Sequence, residues 1–186
     1  MNKQTRILGI SGSLRRESYN SAALRAVAGL APEGTAVETL GLEGIPLFNQ
    51  DEEGKPPATV IELKRRVREA DAILFVTPEY NYSVPGVLKN AIDWASRPYG
   101  DYAWDGKPAA IMGASIGTIG TARAQYHLRQ IFVFLNVFPV NRPEVMIGNA
   151  PQRFDAEGNL TDETTKDYIR QLLRNLVELM RRIRQP

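Results

Sequence analysis

Short apolar runs alternate with helix-period patterns along the whole chain, and this alternation restricts the fold more than any other feature. The apolar runs predict five strands, at Arg6–Ile10, Ala36–Leu40, Ala72–Thr77, Ala109–Ala114 and Val140–Ile147, the last interrupted near Arg142 and Pro143. The other patterns predict helices at Ser18–Leu30, Pro57–Glu69, Pro85–Ser96, Thr121–Val137 and Asp162–Arg184. Five successive strand–helix units indicate an α/β protein with a parallel sheet and helices on both faces.

The length of 186 residues suits one domain, spanning residues 1–186. With five strands it favours a flavodoxin-like three-layer sandwich of strand order 2-1-3-4-5, in which ligands bind beyond the carboxyl ends of strands 1, 3 and 4. The loops at those three positions are residues 11–20, 78–84 and 115–120, and they are the chemically richest loops of the chain. The loop after strand 2, residues 41–56, is rich in Gly, Pro and acids and predicts a mobile surface segment.

Composition excludes several classes of function. The formal net charge is +2, too small to indicate a nucleic-acid or membrane partner. The chain has no cysteine and one histidine, so disulfides, thiolate catalysis, iron–sulfur clusters and a multi-histidine metal site are all excluded, and we expect no metal. Residues 1–6 precede no apolar signal core, and no segment is long and apolar enough to cross a bilayer, which predicts a cytoplasmic protein.

The loop after the first strand concentrates hydrogen-bond donors where a strand passes into a helix. It carries three hydroxyls, a carboxamide and a guanidinium, on Ser11, Ser13, Ser18, Asn20 and Arg15. The helix start adds free backbone N–H groups and the positive end of its dipole. The loop has neither the Gly-x-Gly-x-x-Gly pattern nor the Gly-Lys-Ser/Thr of a P-loop. It predicts a cup for one terminal phosphate monoester, such as that of FMN; the alternative is an ordinary capped turn.

The loop after the third strand suits a flat ring system. The segment from Thr77 to Gly86 offers backbone amides, a carboxylate, a carboxamide and two tyrosines within a few positions. A flavin needs planar apolar contact along its body and hydrogen bonds at its pyrimidine edge. The alternative is an aromatic surface loop without a ligand.

The loop after the fourth strand combines glycines with Ser115 and Thr118, which can reach polar ring atoms. It also contains Gly113-Ala-Ser-Ile-Gly117, a match to the Gly-x-Ser-x-Gly nucleophile pattern of hydrolases. The only histidine, His127, lies about three turns along the next helix and cannot reach the serine as a base. A serine hydrolase is therefore disfavoured, and for His127 a polar contact between helices is favoured over a proton relay.

Two helices carry more apolar surface than one sheet face can cover. Helix Pro85–Ser96 has two apolar stripes, and helix Thr121–Val137 contains an Ile-Phe-Val-Phe-Leu run. A second subunit is the simplest cover, which predicts an oligomer built around these helices with a flavin near the subunit boundary.

Three separated motifs resemble those of the NAD(P)H-dependent FMN reductases, and in particular the bacterial quinone reductases also described as chromate reductases. They are Gly12-Ser-Leu-Arg-x-x-Ser-x-Asn20, the segment from Thr77-Pro-Glu-Tyr-Asn-Tyr to Trp94, and Gly120-x-Ala-Arg-x-Gln-Tyr-x-Leu-Arg129. The resemblance implies a flavodoxin-like fold, bound FMN, NADPH or NADH as electron donor, and a homodimer or homotetramer.

The resemblance also implies roles for individual residues. The FMN phosphate would be held by Ser11, Ser13, Arg15, Ser18 and Asn20. The isoalloxazine would be lined by Pro78, Glu79, Tyr80 and Asn81, with Ser115 and Gly117 nearby. Two residues would lie at the mouth of the substrate pocket, Tyr82 and Arg97. A polar network between subunits would use Arg123, Tyr126 and Glu144.

The implied reaction is ping-pong hydride transfer through N5 of the flavin, from NAD(P)H to a small oxidant such as a quinone. The chemistry would take place on the cofactor, so we predict no catalytic side chain. Chromate, azo dyes and free flavin are further predicted acceptors. Two alternatives are a flavodoxin-like electron carrier, which the slightly basic charge disfavours, and a flavin-based redox sensor without broad turnover.

Overall fold

A computed structural model describes residues 4–184, in which strands and helices alternate along the chain. The strands are β1 (Thr5–Ser11), β2 (Thr35–Leu40), β3 (Ala72–Val76), β4 (Pro108–Ala114), β5 (Phe138–Pro139) and β6 (Val145–Ile147). The α-helices are α1 (Tyr19–Val27), α2 (Ala58–Glu69), α3 (Gly86–Ala95), α4 (Ala122–Leu135) and α5 (Glu163–Arg184). Short 3-10 turns span Gln50–Glu52 and Ala150–Gln152. None of the helices within residues 4–184 combines the length and hydropathy needed to traverse a bilayer.

The strands form one parallel sheet in the predicted order. Strand β1 pairs with β2 on one side and β3 on the other, and β3 pairs with β4. The last position is shared, because β5 pairs with the start of β4 and β6 pairs with its end. The sheet thus confirms the order 2-1-3-4-5.

The prediction of one fifth strand at Val140–Ile147 is wrong in its bounds. Pairing with β4 begins earlier, at Phe138, and stops before Pro143. Proline has no N–H to donate to a sheet ladder. Pairing resumes at Val145, so the predicted interruption separates two strands.

Side chains from both faces of the sheet are buried, as a three-layer arrangement requires. On β3, Leu74 and Val76 belong to a core shared with α1 and α5. Ile73 and Phe75, on the opposite face, belong to a core shared with α2, α3 and α4. All four are fully buried, which confirms helices on both faces of the sheet.

Part of the loop after β2 packs on α3, whereas most of its residues are exposed, as predicted for a surface segment. Its mobility stays a prediction. The Pro46 carbonyl accepts hydrogen bonds from Trp94 Nε1 and Asn90 Nδ2, both at 2.8 Å. The Phe48 ring packs edge-on against the Trp94 ring, with 5.0 Å between centroids. Trp94 is thereby 1% exposed, so the second stripe of α3 is covered by its own chain and needs no second subunit.

Close packing at the carboxyl end of the sheet brings the loops after β3 and β4 together. A Cβ on Gly113 would lie 2.0 Å from Thr121 Oγ1 and 2.2 Å from the Thr77 carbonyl oxygen. No side chain fits there without moving backbone. Gly113 of the Gly-x-Ser-x-Gly match is therefore explained by packing, and no hydrolase function is needed to account for it.

We predict that Gly113→Ala lowers the free energy of unfolding by about 1–3 kcal/mol, because the new methyl group overpacks a rigid junction. Gly86→Ala is the matched control, since a Cβ at that position meets nothing within 4 Å. Chemical denaturation of both variants makes the comparison. Equal stability of Gly113→Ala and the wild type would contradict this packing.

Candidate functional site

Three serines shape the loop between β1 and α1. Ser18 caps α1, since its Oγ accepts hydrogen bonds from the amides of Asn20, at 3.2 Å, and Ser21, at 3.4 Å. Ser11 Oγ lies 2.9 Å from Ser21 Oγ, and Ser13 Oγ accepts from an amide further along the loop. The three serines are buried, so their hydroxyls line the inside of a tight turn.

Free amides complete the chemistry of this turn. Among residues 4–184, no acceptor bonds the backbone N–H of Leu14, Arg16 or Glu17. The guanidinium of Arg15 is largely exposed at the rim, 3.7 Å from Glu17. Unpaired amides beside the start of a helix, with an arginine at the rim, form a suitable site for one phosphate group. We call residues 11–18 the phosphate cup.

Asn20 makes a link that the sequence did not reveal. Its Nδ2 donates to the Ala114 carbonyl at 2.9 Å, and the Ala114 amide donates to its Oδ1 at 2.8 Å. The side chain is 3% exposed. Asn20 therefore ties the phosphate cup to the end of β4, and a direct phosphate contact by Asn20 stays a prediction.

A two-residue hairpin follows β3. Tyr80 and Ser83 exchange two backbone hydrogen bonds, each 3.0 Å long, around Asn81 and Tyr82. Both central residues have positive φ, 48° and 68°, as a type I′ turn requires. For an aromatic residue such as Tyr82, this left-handed backbone costs about 1–2 kcal/mol.

Contacts from α4 hold the hairpin in this conformation. The Arg123 guanidinium stacks on the Tyr82 ring, 3.7 Å from its centroid. His127 Nδ1 lies 3.0 Å from Ser83 Oγ. The prediction that His127 contacts another helix is therefore wrong in its partner, because the contact is with the hairpin.

Glu79 caps α4 from the loop after β3. Its Oε2 accepts from the amides of Arg123, at 3.0 Å, and Ala124, at 3.2 Å, and its Oε1 accepts from Arg123 Nε at 2.5 Å. Thr121, the residue before α4, makes no side-chain cap. The carboxylate is 7% exposed and fully engaged with α4, so contacts of Glu79 with an isoalloxazine would have to come from its other atoms.

An open cleft of about 440 Å³ separates this loop from the loop after β4. It brings together five of the residues predicted for the site, and Arg123 with them. Its lining is Glu79, Asn81, Tyr82, Ser115, Gly117, Thr118, Ile119, Gly120 and Arg123. Tyr82 and Ile119 line this cleft and are 66% and 56% exposed, so they offer apolar surface beside a flat ring bound between the two loops. Pro78 and Tyr80 belong to the same loop but do not line the cleft.

Arg97 lies elsewhere in the chain. It follows the last turn of α3, a helix about 15 Å long that begins beside the hairpin, so it is far from Tyr82. Its Nε donates to Glu53 Oε2 at 2.7 Å, a bond that raises the pKa of the guanidinium. Its guanidinium also stacks on Tyr99. Within one chain, the structure does not bring Arg97 to the cleft.

The three residues predicted to connect subunits have partners within the chain. Arg123 pairs with Glu79, as described above. Tyr126 Oη donates to Glu144 Oε2 at 3.2 Å, and this bond raises the pKa of the Tyr126 phenol. Their contacts with a second subunit stay a prediction.

Comparison with known proteins agrees with this geometry. The profile of the NADPH-dependent FMN reductase family matches residues 5–152. The chain belongs to this family. An NAD(P)H-dependent FMN reductase of Pseudomonas aeruginosa is 56% identical over 99% of this chain and 100% of its own length. A 2-hydroxy-1,4-benzoquinone reductase of a Burkholderia species is 46% identical over 88% of this chain and 90% of its own.

A solved structure extends the agreement to the fold. The flavoenzyme NAD(P)H:(acceptor) oxidoreductase FerB of Paracoccus denitrificans superposes with a TM-score of 0.88 at 36% identity, over 96% of this chain and 98% of that one. The resemblance seen in the three sequence motifs is thus confirmed, as is the flavodoxin-like fold.

The site of this FMN reductase fits its cofactor. FMN has one phosphate monoester and one large planar ring. The phosphate cup offers amides and hydroxyls for the first, and the cleft offers apolar surface and Ser115 for the second. Both lie beyond the carboxyl ends of parallel strands, where this strand order places ligands. The phosphate would be held by the cup and the ring by the cleft.

We predict that Arg15→Ala weakens FMN binding by about 1.5–3 kcal/mol, the contribution of a charge-assisted hydrogen bond. Titration of the FMN-free protein, followed by quenching of flavin fluorescence, measures the dissociation constant. Arg174→Ala, on the exposed face of α5, controls for the change in net charge. If both variants bind FMN like the wild type, Arg15 does not contact the phosphate.

Proposed function

We propose that this chain is an FMN-dependent oxidoreductase that takes electrons from NADPH or NADH and reduces quinone-like acceptors. The observation that carries this proposal is the open cleft beside the phosphate cup. Its exposed wall, formed by Tyr82 and Ile119, leaves room for a second flat molecule to reach the ring of a bound flavin. The names of the relatives, FMN reductase and hydroxybenzoquinone reductase, support the same reaction.

The chemistry that bound FMN supplies is reversible acceptance of a hydride from a nicotinamide. The chain's own part is binding and orientation. The phosphate cup fixes one end of the cofactor, the Asn20–Ala114 link fixes the distance to the cleft, and the Glu79 cap fixes the wall of the cleft. If the nicotinamide donor and the acceptor both enter through this cleft, they bind one after the other, as in a ping-pong reaction.

The open cleft disfavours an electron carrier, because a carrier shields its flavin and presents a strongly acidic face. This chain has a formal net charge of +2. A redox sensor is disfavoured by the relatives, which are named as reductases. Chromate, azo dyes and free flavin stay predicted acceptors, and the cleft contains no feature that selects them.

A homodimer or homotetramer built on α4 is part of the proposal. Val133 and Phe134 on this helix are 83% and 81% exposed, an unusual position for two neighbouring large apolar side chains. A second copy of the chain would cover them. We further propose that the enzyme works in the cytoplasm, where its nicotinamide donor is regenerated.

We predict that the purified protein is yellow, with absorption bands near about 375 and 450 nm, and that NADPH or NADH bleaches them under anaerobic conditions. A quinone added afterwards should restore the bands. Free FMN at the same concentration is the control, because the nicotinamide reduces it far more slowly without the protein.

Two results would contradict this proposal. A yellow protein that neither nucleotide bleaches would indicate an electron carrier. A colourless protein that cannot be loaded with FMN would exclude the cofactor itself.

A further inference from the structure

A second pocket adjoins the phosphate cup. It has a volume of about 450 Å³ and shares Arg15 and Ser18 with the cup. From there it follows one face of α1, past Ala22 to Arg25. Ser18 and Arg25 are two helical turns apart, so the pocket is about 10 Å long on this side. FMN ends at its phosphate, in the cup, and does not extend into this space. We call it the adjoining pocket.

The wall opposite α1 is the turn formed by residues 155–158. The turn is closed by Asp155, which accepts hydrogen bonds from the Asn159 amide at 2.7 Å and from Asn159 Nδ2 at 3.0 Å. Directly before it, the Phe154 ring packs on the Tyr19 ring of α1, with 5.3 Å between centroids. The two walls of the adjoining pocket are therefore held at a fixed separation by the fold.

Charged groups of both signs line the adjoining pocket. Arg15 pairs with Glu17, and Asp155 is bonded to Asn159. The other charged side chains of the pocket, which have no hydrogen-bond or ion-pair partner within residues 4–184, are Arg16, Arg25 and Glu157. Two free cations and one free carboxylate suit a ligand that carries both phosphate oxygens and hydroxyl groups, since the carboxylate can only accept hydrogen bonds.

The free groups lie at different distances from the cup. The backbone of Arg16 belongs to the cup itself, so its side chain lies at that end of the pocket. Arg25 lies two turns away, where a Cβ on Gly158 would be 3.2 Å from its Nη2. Glu157 precedes Gly158 in the turn, so a cation and a carboxylate lie together at the end remote from the cup.

We infer that the adjoining pocket binds the adenosine monophosphate half of flavin adenine dinucleotide (FAD), so that this chain accepts FAD as well as FMN. FAD carries this group on the phosphate that it shares with FMN, and the pocket opens directly from the site of that phosphate. Arg16 binds the second phosphate, and Glu157 accepts hydrogen bonds from the ribose hydroxyls, as acidic residues of other dinucleotide sites do. The adenine ring stacks on the guanidinium of Arg25.

The adenosine half of the nicotinamide donor fits this position less well. Its nicotinamide has to reach the flavin ring in the cleft, whereas the adjoining pocket begins at the phosphate, the opposite end of FMN. The inference depends on the phosphate cup as the site of the FMN phosphate, and it extends that site to a larger cofactor.

Calorimetric titration of the FMN-free protein with FMN and with FAD tests the inference, because the two ligands differ only by the adenosine monophosphate. Glu157→Gln should weaken FAD binding about fivefold, the loss of one hydrogen bond, and change FMN binding less than about twofold. The sign is decisive, since removal of a negative charge strengthens the binding of an anion that is attracted by charge alone.

Two further variants make the test independent of this one residue. Arg25→Gln should also weaken FAD binding about fivefold and leave FMN binding unchanged. Ala156→Trp, in the exposed turn, should fill the pocket and weaken FAD binding at least about tenfold, again without an effect on FMN. Arg174→Gln, on the exposed face of α5, is the matched control for the loss of a positive charge.

A wild type that binds FMN but not FAD would overturn the inference, as would variants that change the binding of both flavins equally. Variants that weaken the binding of NADP⁺ rather than FAD would also overturn it, because the pocket would then serve the electron donor. None of these titrations involves turnover. A chain that binds FAD as expected but reduces no quinone would therefore contradict the proposed function and support this inference.

Discussion

Two buried hydrogen bonds between the Asn20 carboxamide and the Ala114 backbone determine how the two parts of the site are spaced. Asn20 lies in the first turn of α1, beside the phosphate cup. Ala114 is the last residue of β4, directly before residues 115–120, the cleft loop. In the sheet, strand β3 lies between β4 and β1, the strand that precedes α1. Each buried group left without a partner costs about 1–3 kcal/mol, so the link resists opening. The folded chain itself therefore sets the distance between the phosphate cup and the cleft.

Every loop of the site is anchored to another part of the chain in a comparable way. The hairpin after β3 is bonded to α4 through Glu79 and stacked against it through Arg123. The cleft loop is bonded to the segment after β6, where the amides of Asn149 and Ala150 donate to Gly117 and Ser115. Anchoring of this kind explains how Tyr82 is kept in a left-handed backbone conformation at an exposed position. It also lowers the entropy that a bound cofactor would have to remove.

The fold could be predicted because it depends on local patterns. Apolar runs such as β3 identify strands buried on both faces, and short βα loops leave few possible connections. The fifth strand was misplaced because pairing there depends on the partner strand β4 rather than on the local sequence. The packing of residues 45–48 on α3 could not be predicted either, because these residues carry no pattern that indicates contact with Trp94.

The site could be predicted only where a motif supplies the chemistry itself. The hydroxyls and amides of the phosphate cup follow from a strand–loop–helix junction rich in serine. The roles of Asn20 and Glu79 depend on partners 94 and 44 residues away, and no local pattern reveals such contacts. Resemblance predicts Arg123 at a subunit interface, whereas its pairing with Glu79 and its stacking on Tyr82 are seen only in the structure.

The central claim is that the chain fixes the geometry of the site before FMN arrives. Hydrogen exchange of the Ala114 amide in the FMN-free protein tests it most directly, because this amide donates to Asn20 Oδ1. The account predicts that it exchanges as slowly as core amides of β3, and that FMN changes its rate little. An amide that exchanges like an exposed loop until FMN is added would show that the cofactor builds the site, and would contradict the account.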